Sequence, residues 1–232
     1  MVVQEFHFKI EIMDLVIIGG STAFYEIMGI IHAVNAKEQK YRVVGILDDN
    51  QSLQGTSLLG VPVLGGIKKA RVLKDKVKFI FGIGSMRTRL IRHEILKNTQ
   101  LEPACFESII HPNTTIDPTA NIGHGCIIHH GVAIGNHVVL EGFNVVAVNS
   151  ALGPYSILEK QAMVTSLCLV LSSARICKNT FIGAMSCVTE NITIEKGCFI
   201  GVGSVVTRNL AEGSYGIGNP FRVLKVEDVS KV

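Results

Sequence analysis

The chain has 232 residues, 47% of them hydrophobic, with 22 Lys and Arg against 19 Asp and Glu. That length holds one large domain or two modest ones. A formal charge of +3, dispersed along the chain, is too small to mark nucleic acid as the main partner. The opening MVVQEFHFKIEI contains Glu5 and Glu11 and no long apolar run, so it reads neither as a signal peptide nor as a transit peptide. Later apolar stretches break well before the roughly 18 residues that span a bilayer, so a cytoplasmic protein with no membrane partner is expected. The six cysteines, at 105, 126, 168, 177, 187 and 198, form no CxxC pair and have no histidine at ligand spacing. Neither a metal site nor a disulfide framework is expected.

From residue 14 the chain alternates strands and helices. DLVIIGG is a short apolar strand, TAFYEIMGIIHAVNA a helix by its spacing, YRVVGILDDN a second strand, VKFIFGIGS a third and MRTRLIRHEILKN a second helix. This is the pattern of a parallel sheet covered by helices. Ligands of such sheets sit at the carboxyl ends of the strands, here residues 19–22, 48–50 and 82–85. GGSTAF does not supply the G-x-G-x-x-G fingerprint, so a nicotinamide dinucleotide is not the expected ligand. The basic run at 68–78 is interrupted by Asp75 and reads as a solvated face.

After His111-Pro112-Asn113 the pattern changes to a period of six. Sixteen consecutive aliphatic positions run from Ile116 through Ile122, Ile128 and onward to Val206. At about a one-in-four chance per position, such a run has a probability of roughly one in four billion. The residues two before them are mostly small, with Asn144 and Ile192 as exceptions. Residues i and i−2 of a strand face the same way, so each hexad offers one large and one small inward side chain, and three hexads make one triangular coil. About five coils result. Cys126, Cys168 and Cys198 fill small inward sites. Gly123, Gly135, Gly153, Gly183 and Gly201 follow inward aliphatics and are expected at the bends.

The segments GILDDNQSLQGTSLLGVPVLGG, GIGSMRTRLIR, IIHPNTTIDPTANIG and FIGVGSVVTRNLAEGSYGIGNPFRVL together resemble the sugar acetyltransferases of the PglD/NeuD type. The resemblance implies a Rossmann-like α/β domain at residues 14–108 that binds a nucleotide sugar. It further implies a left-handed parallel β-helix at 109–225 that acts as the acyltransferase. It implies a cytoplasmic homotrimer that takes acetyl-CoA as co-substrate and N-acetylates a nucleotide-linked amino sugar for surface-glycan or sialic-acid-like biosynthesis. O-acetylation of a sugar hydroxyl is the lesser variant. Carried over, Asp48 and Asp49 contact base and ribose, and as exposed carboxylates they should contribute little to stability. Gly19, Gly20, Ser21, Thr22, Gly84 and Ser85 approach the phosphates and sugar, with Arg89 beside them. Gly183, Ala184, Gly201 and Val202 line the acetyl-CoA groove.

The chain departs from the family where the chemistry is done. Acetyl transfer to an amine needs a base near neutrality, for which His is suited, paired with a carboxylate that orients it. The family's His and acidic positions fall on Pro154 and Tyr155, its downstream His falls on Met163, and the His of its glycine-rich first turn falls on Ala23. His124, His129, His130 and His137 lie in the early coils. His130 has the family's place within its hexad but faces another side of the prism. His137, 18 residues before Tyr155 and so about one strand spacing beneath it, is the candidate catalytic residue. The alternative is a catalytically inactive family member that serves as a binding or scaffold trimer.

Overall fold

The computed structural model describes residues 12–85, 88–89 and 91–224. Met86, Arg87 and Leu90 of the GIGSMRTRLIR segment, and residue 225 at the expected end of the second domain, lie outside the described residues.

The N-terminal unit is a parallel sheet with one antiparallel edge. β1 (Met13–Ile18) leads through α1 (Thr22–Lys37) to β2 (Tyr41–Leu47). β3 (Ser57–Leu58) and β4 (Val61–Gly65) follow, then α2 (Ala70–Leu73), β5 (Lys78–Phe81) and α3 (Arg92–Thr99). The strand order is β3-β4-β2-β1-β5. Leu15, Val16, Ile17 and Ile18 are at most 1% exposed, as a central strand covered on both faces requires. The chain winds outward from β1 to β4 and returns to β5 on the other side, so the carboxyl ends of β1 and β5 flank the crevice where ligands of such sheets bind. The β3–β4 hairpin was not legible as strands. Its two-residue turn places Leu59 at φ 50° and Gly60 at φ 78°, a geometry usually announced by Asn-Gly or Asp-Gly. α3 starts six residues later than the expected helix, which began at 86.

From Ile109 to Val206 every strand is two residues long and pairs in parallel with a strand 18 residues away, as in Ala133↔Ala151↔Leu169↔Cys187↔Val205. Three sheets result, the faces of a left-handed β-helix. Face I begins at Ile109–Ile110, face II at Thr115–Ile116 and face III at Asn121–Ile122. Face I also carries a final coil at Tyr215–Ile217, closed by the antiparallel strand Arg222–Val223. The prism is therefore longer than the repeat alone indicated. The inward aliphatics from Ile128 to Val206 are at most 3% exposed, and Cys126, Cys168 and Cys198 are at most 1% exposed, in the small inward role expected of them. The exception Asn144 is fully buried and satisfied. It donates to the Glu159 and Ala162 carbonyls and accepts the Gly142 N–H.

The bends differ from expectation. The left-handed residue is the third after each inward aliphatic: His137, Phe143, Asn149, Tyr155, Gln161, Leu167, and so on at intervals of six, with φ between 55° and 65°. The glycines immediately after the aliphatics answer a different need. A Cβ on Gly183 would lie 2.7 Å from the Val202 nitrogen, and one on Gly123 2.6 Å from the Glu141 carbonyl oxygen. These glycines let one coil stack on the next.

The two units share a core. Ile109 and Ile127, outward on face I, pack among the residues beneath α1 and β1. Phe143, at the corner between faces III and I, meets Phe81 and Phe106 edge-on at centroid distances of 6.3 and 4.9 Å.

Candidate interdomain active site

Above that shared core the units part and leave a cleft of about 560 Å³. One wall is α1, through Glu26, Gly29 and Ile30, together with Gly84 and Ser85 after β5. The other is face I and its corner with face II, through Val145, Met163, Phe181, Thr165 and Ser166. His111, His129 and His130 close its lower end. Arg92 fixes the loop that forms the rim. It is 1% exposed, donates from Nε to the Ile83 carbonyl at 2.6 Å and from Nη1 to Gln161 of the β-helix at 3.4 Å, and lies over the Phe81 ring. Burial pushes its guanidinium down to about 10. Met163 packs against Gly84, where a Cβ would come within 3.1 Å of the methionine methyl. Met163 thus closes this part of the cleft with an apolar wedge.

The strand-end residues fall at the crevice, several with work of their own. Gly19 has φ 107° and a Cβ there would meet Ile83 at 3.0 Å, so the turn after β1 requires glycine. The Gly20 N–H is given to Asp48 Oδ2 at 2.7 Å, while Asp48 Oδ1 accepts the Asn50 N–H. Asp49 Oδ1 accepts the Ile67 N–H at 2.8 Å. Both carboxylates therefore hold backbone, which corrects the expectation that they contribute little to stability. Ser21 caps α1 without a side-chain hydrogen bond, and no acidic residue occupies the first turn. The helix thus offers N–H groups and its dipole to an anion at Ser21 and Thr22. Ser85 opens a turn, its hydroxyl 3.0 Å from Thr88 Oγ1, and Arg89 places its guanidinium 4.6 Å above the Phe199 ring. Phe199 stacks in turn on Phe181 and Tyr215, at 5.3 and 4.5 Å.

Gly183, Ala184, Gly201 and Val202 lie on the corner between faces I and II. Backbone bonds stack that corner coil on coil: Asn149 N–H to the His130 carbonyl, Leu167 to Val148, Met185 to Ser166, Gly203 to Ala184. The four residues therefore continue the column that forms the cleft wall. His137 sits on a different corner, between faces II and III. It is exposed and stacked on Tyr155 at 4.8 Å, as its spacing implied, with its N–H donated to Thr119. It does not line the cleft. What sequence reasoning passed over is His111 and His129. They stand at the strand ends of face I, and only the docking of α1 against that face makes them part of a site.

The molecule is thus an α/β nucleotide-fold domain docked on a hexapeptide-repeat β-helix, with a cleft between them. A family model described as PglD N-terminal domain matches residues 14–96, and one described as bacterial transferase hexapeptide (six repeats) matches residues 107–142. The PglD/NeuD-type resemblance is thus matched in both units, in the N-terminal unit by the first model and in the early coils by the second. Among solved structures it is similar to the acetyltransferase domain of PglB from Neisseria gonorrhoeae in complex with acetyl coenzyme A. The TM-score is 0.80 at 23% identity, over 92% of this chain and 100% of that one. It is also similar to a perosamine N-acetyltransferase from Caulobacter crescentus in complex with CoA and GDP-perosamine, with a TM-score of 0.78 at 20% identity, over 94% and 100%. WeeI from Acinetobacter baumannii gives a TM-score of 0.62 at 22% identity, over 91% and 100%. No curated protein matches the chain in sequence. Among the described residues no helix is long and apolar enough to cross a membrane, and no three His, Cys, Asp or Glu are grouped to hold a metal ion.

Proposed function

We propose that this protein is an acetyl-CoA-dependent N-acetyltransferase of a nucleotide-linked amino sugar, working in the cytoplasm on surface-glycan or sialic-acid-like precursors. The observation that carries the reading is the continuity of the cleft. It opens beside the strand ends of the α/β domain and runs into the corner column that bears Gly183 and Gly201. The nucleotide lies along residues 14–108, its phosphates at the N-terminus of α1 beside Ser21 and Thr22, with Gly19 and Gly20 shaping the turn. Asp48 keeps its bonds to the backbone, and Asp49 has one carboxylate oxygen that carries no bond among the described residues. The sugar reaches past Ser85 and Arg89 into the cleft. The acetyl-CoA arm descends the corner past Val202, Gly201, Ala184 and Gly183 of the 109–225 domain.

The assembly is a homotrimer. Face II turns Ala133, Ala151, Leu169, Cys187 and Val205 outward, and Leu169 is 46% exposed. Such an apolar stripe suits contact with a second copy. His137, on the corner at the far edge of that face, serves as base only if a neighbouring subunit brings its cleft to it. Pro154 and Tyr155 favour a second reading, a trimer that binds nucleotide sugar without turning it over.

Thermal denaturation separates the readings. Acetyl-CoA at about 100 times its Kd should stabilise the native state by roughly 2.7 kcal/mol, a rise of about 5–10 °C for a chain of this size. Release of free thiol from acetyl-CoA with GDP- or UDP-linked 4-amino sugars should accompany it. No thermal shift and no thiol release would leave the binding trimer as the function.

A further inference from the structure

The three cleft histidines have no task in the reading above. His129 ends a face I strand, is 8% exposed, and holds Nε2 3.9 Å from Glu26 Oε2 on α1. His111 lies one coil below, its Nδ1 accepting the Asn113 N–H at 3.1 Å, and meets the His130 ring edge-on at 5.5 Å. Among the described residues that line the cleft, Glu26 is the single carboxylate, and there is no Lys or Arg. The cation nearby, Lys37 beside His111, gives its Nζ to the Pro112 carbonyl at 3.2 Å and does not line the cleft. A primary amine finds a carboxylate, imidazoles, and the hydroxyl side chains of Ser85, Thr165 and Ser166.

We infer that this end of the cleft seats the amine of the acceptor sugar, and that His129, oriented by Glu26, takes the proton the amine loses during acyl transfer. The inference rests on the acetyl-transfer reading. The amine lone pair attacks the thioester carbonyl carbon and forms the C–N bond. The nitrogen, now cationic and strongly acidic, passes its proton to the His129 imidazole. The adduct collapses with cleavage of the C–S bond, and the leaving thiolate of CoA receives that proton, which regenerates neutral imidazole. Glu26 stabilises the imidazolium in between.

The placement fits the donor. His129, Ala147, Thr165 and Gly183 follow one another up the same corner, about 4.8 Å per coil. Gly183 therefore stands about 14 Å above His129, a span for an extended pantetheine arm. Burial, with His130 and His111 beside it, pushes the His129 imidazole down to about 4. The resting ring is therefore neutral and a weak base, and it is the Glu26 carboxylate facing it that favours its charged form when the adduct ammonium gives up the proton.

Two measurements test the inference. In the first, His129→Asn and Glu26→Gln are assayed with acetyl-CoA and GDP- and UDP-linked 4-amino sugars. His129→Asn should lose about 10²–10⁴-fold in kcat with KM for the nucleotide sugar little changed. Glu26→Gln, at a side chain 58% exposed and so harmless to folding, should lose less and alter the pH profile of kcat. Native rates in both variants would overturn the inference and leave the acetyl-transfer reading standing. The second measurement follows the His129 ring signals by NMR on addition of the same amino sugars, and of GDP-mannose and UDP-glucose, which carry hydroxyls in place of the amine. Movement with the amino sugars alone supports the amine seat. No movement overturns it. A native chain that moves the signal but releases no thiol from acetyl-CoA would remove the acetyl-transfer reading and the proton-transfer step with it, while upholding the seat.

Discussion

The Asp48–Asp49 pair shows how one residue type serves two ends. Strand-end carboxylates are available to a ligand, and they are also natural acceptors for the N–H groups that a turn leaves open. Asp48 joins the turn after β1 to the end of β2 through the Gly20 and Asn50 N–H groups. Asp48→Ala should therefore cost about 1–3 kcal/mol, read by urea denaturation with an unchanged m-value. Asp49→Ala, which loses one bond to Ile67, should cost less. His129 has a pH signature of its own. Its imidazole titrates near 6.5 when unfolded and is pushed to about 4 when folded, so the unfolded chain binds the extra proton between those values. Stability is complete above pH 6.5 and falls as pH drops towards 4, by roughly 2–3 kcal/mol for this group. Glu26, facing the ring from α1, favours the charged form, and His111 and His130 oppose it. His129→Asn should flatten that limb of a stability-against-pH curve. A limb of unchanged slope would show that other groups produce it.

At the scale of elements, the β-helix is governed by two glycine-sensitive positions that periodicity alone does not separate. The residue directly after an inward aliphatic faces the backbone of the next coil. Gly183→Ala would set a Cβ 2.7–2.8 Å from the Val202 nitrogen and Gly201 carbonyl carbon, and should destabilise by about 1–3 kcal/mol through overpacking. It should weaken acetyl-CoA binding as well if the donor runs along that corner. The third residue after the aliphatic is left-handed and, except where the docked α/β unit covers it as at Phe143, turns towards solvent. Met185, with φ 60° and 66% exposed, occupies a conformation that costs an L-residue about 1–2 kcal/mol. Met185→Gly should gain some of this, less the entropy glycine adds to the unfolded chain, for a net rise in melting temperature of a few degrees at most. Thermal scans of the two glycine-related variants should move in opposite directions.

At the scale of the whole molecule, the apolar stripe on face II predicts association. Light scattering at micromolar concentration should give three times the chain mass, and Leu169→Arg, at the middle of the stripe, should shift the mass towards the monomer while melting stays cooperative. A native monomer would remove the trimer and any role for His137 that depends on a neighbour. The amine seat at His129 would survive that result, since every residue of it belongs to one chain.

The sequence by itself determined the architecture. A strand that alternates with helices, then sixteen aliphatics at a spacing of six, leaves few ways to bury that surface, and both patterns act over distances of a few residues. It also located the strand ends that border the crevice. The β3–β4 hairpin escaped because Leu-Gly is a poor turn signal, and the role of the corner glycines was misread because close stacking and left-handed φ both select glycine. Only the tertiary structure decided which histidines share a site. His111, His129 and His130 are ordinary strand-end residues until α1 docks on face I and brings Glu26 to within 3.9 Å of His129. That contact joins residues about a hundred positions apart, and no local period encodes it.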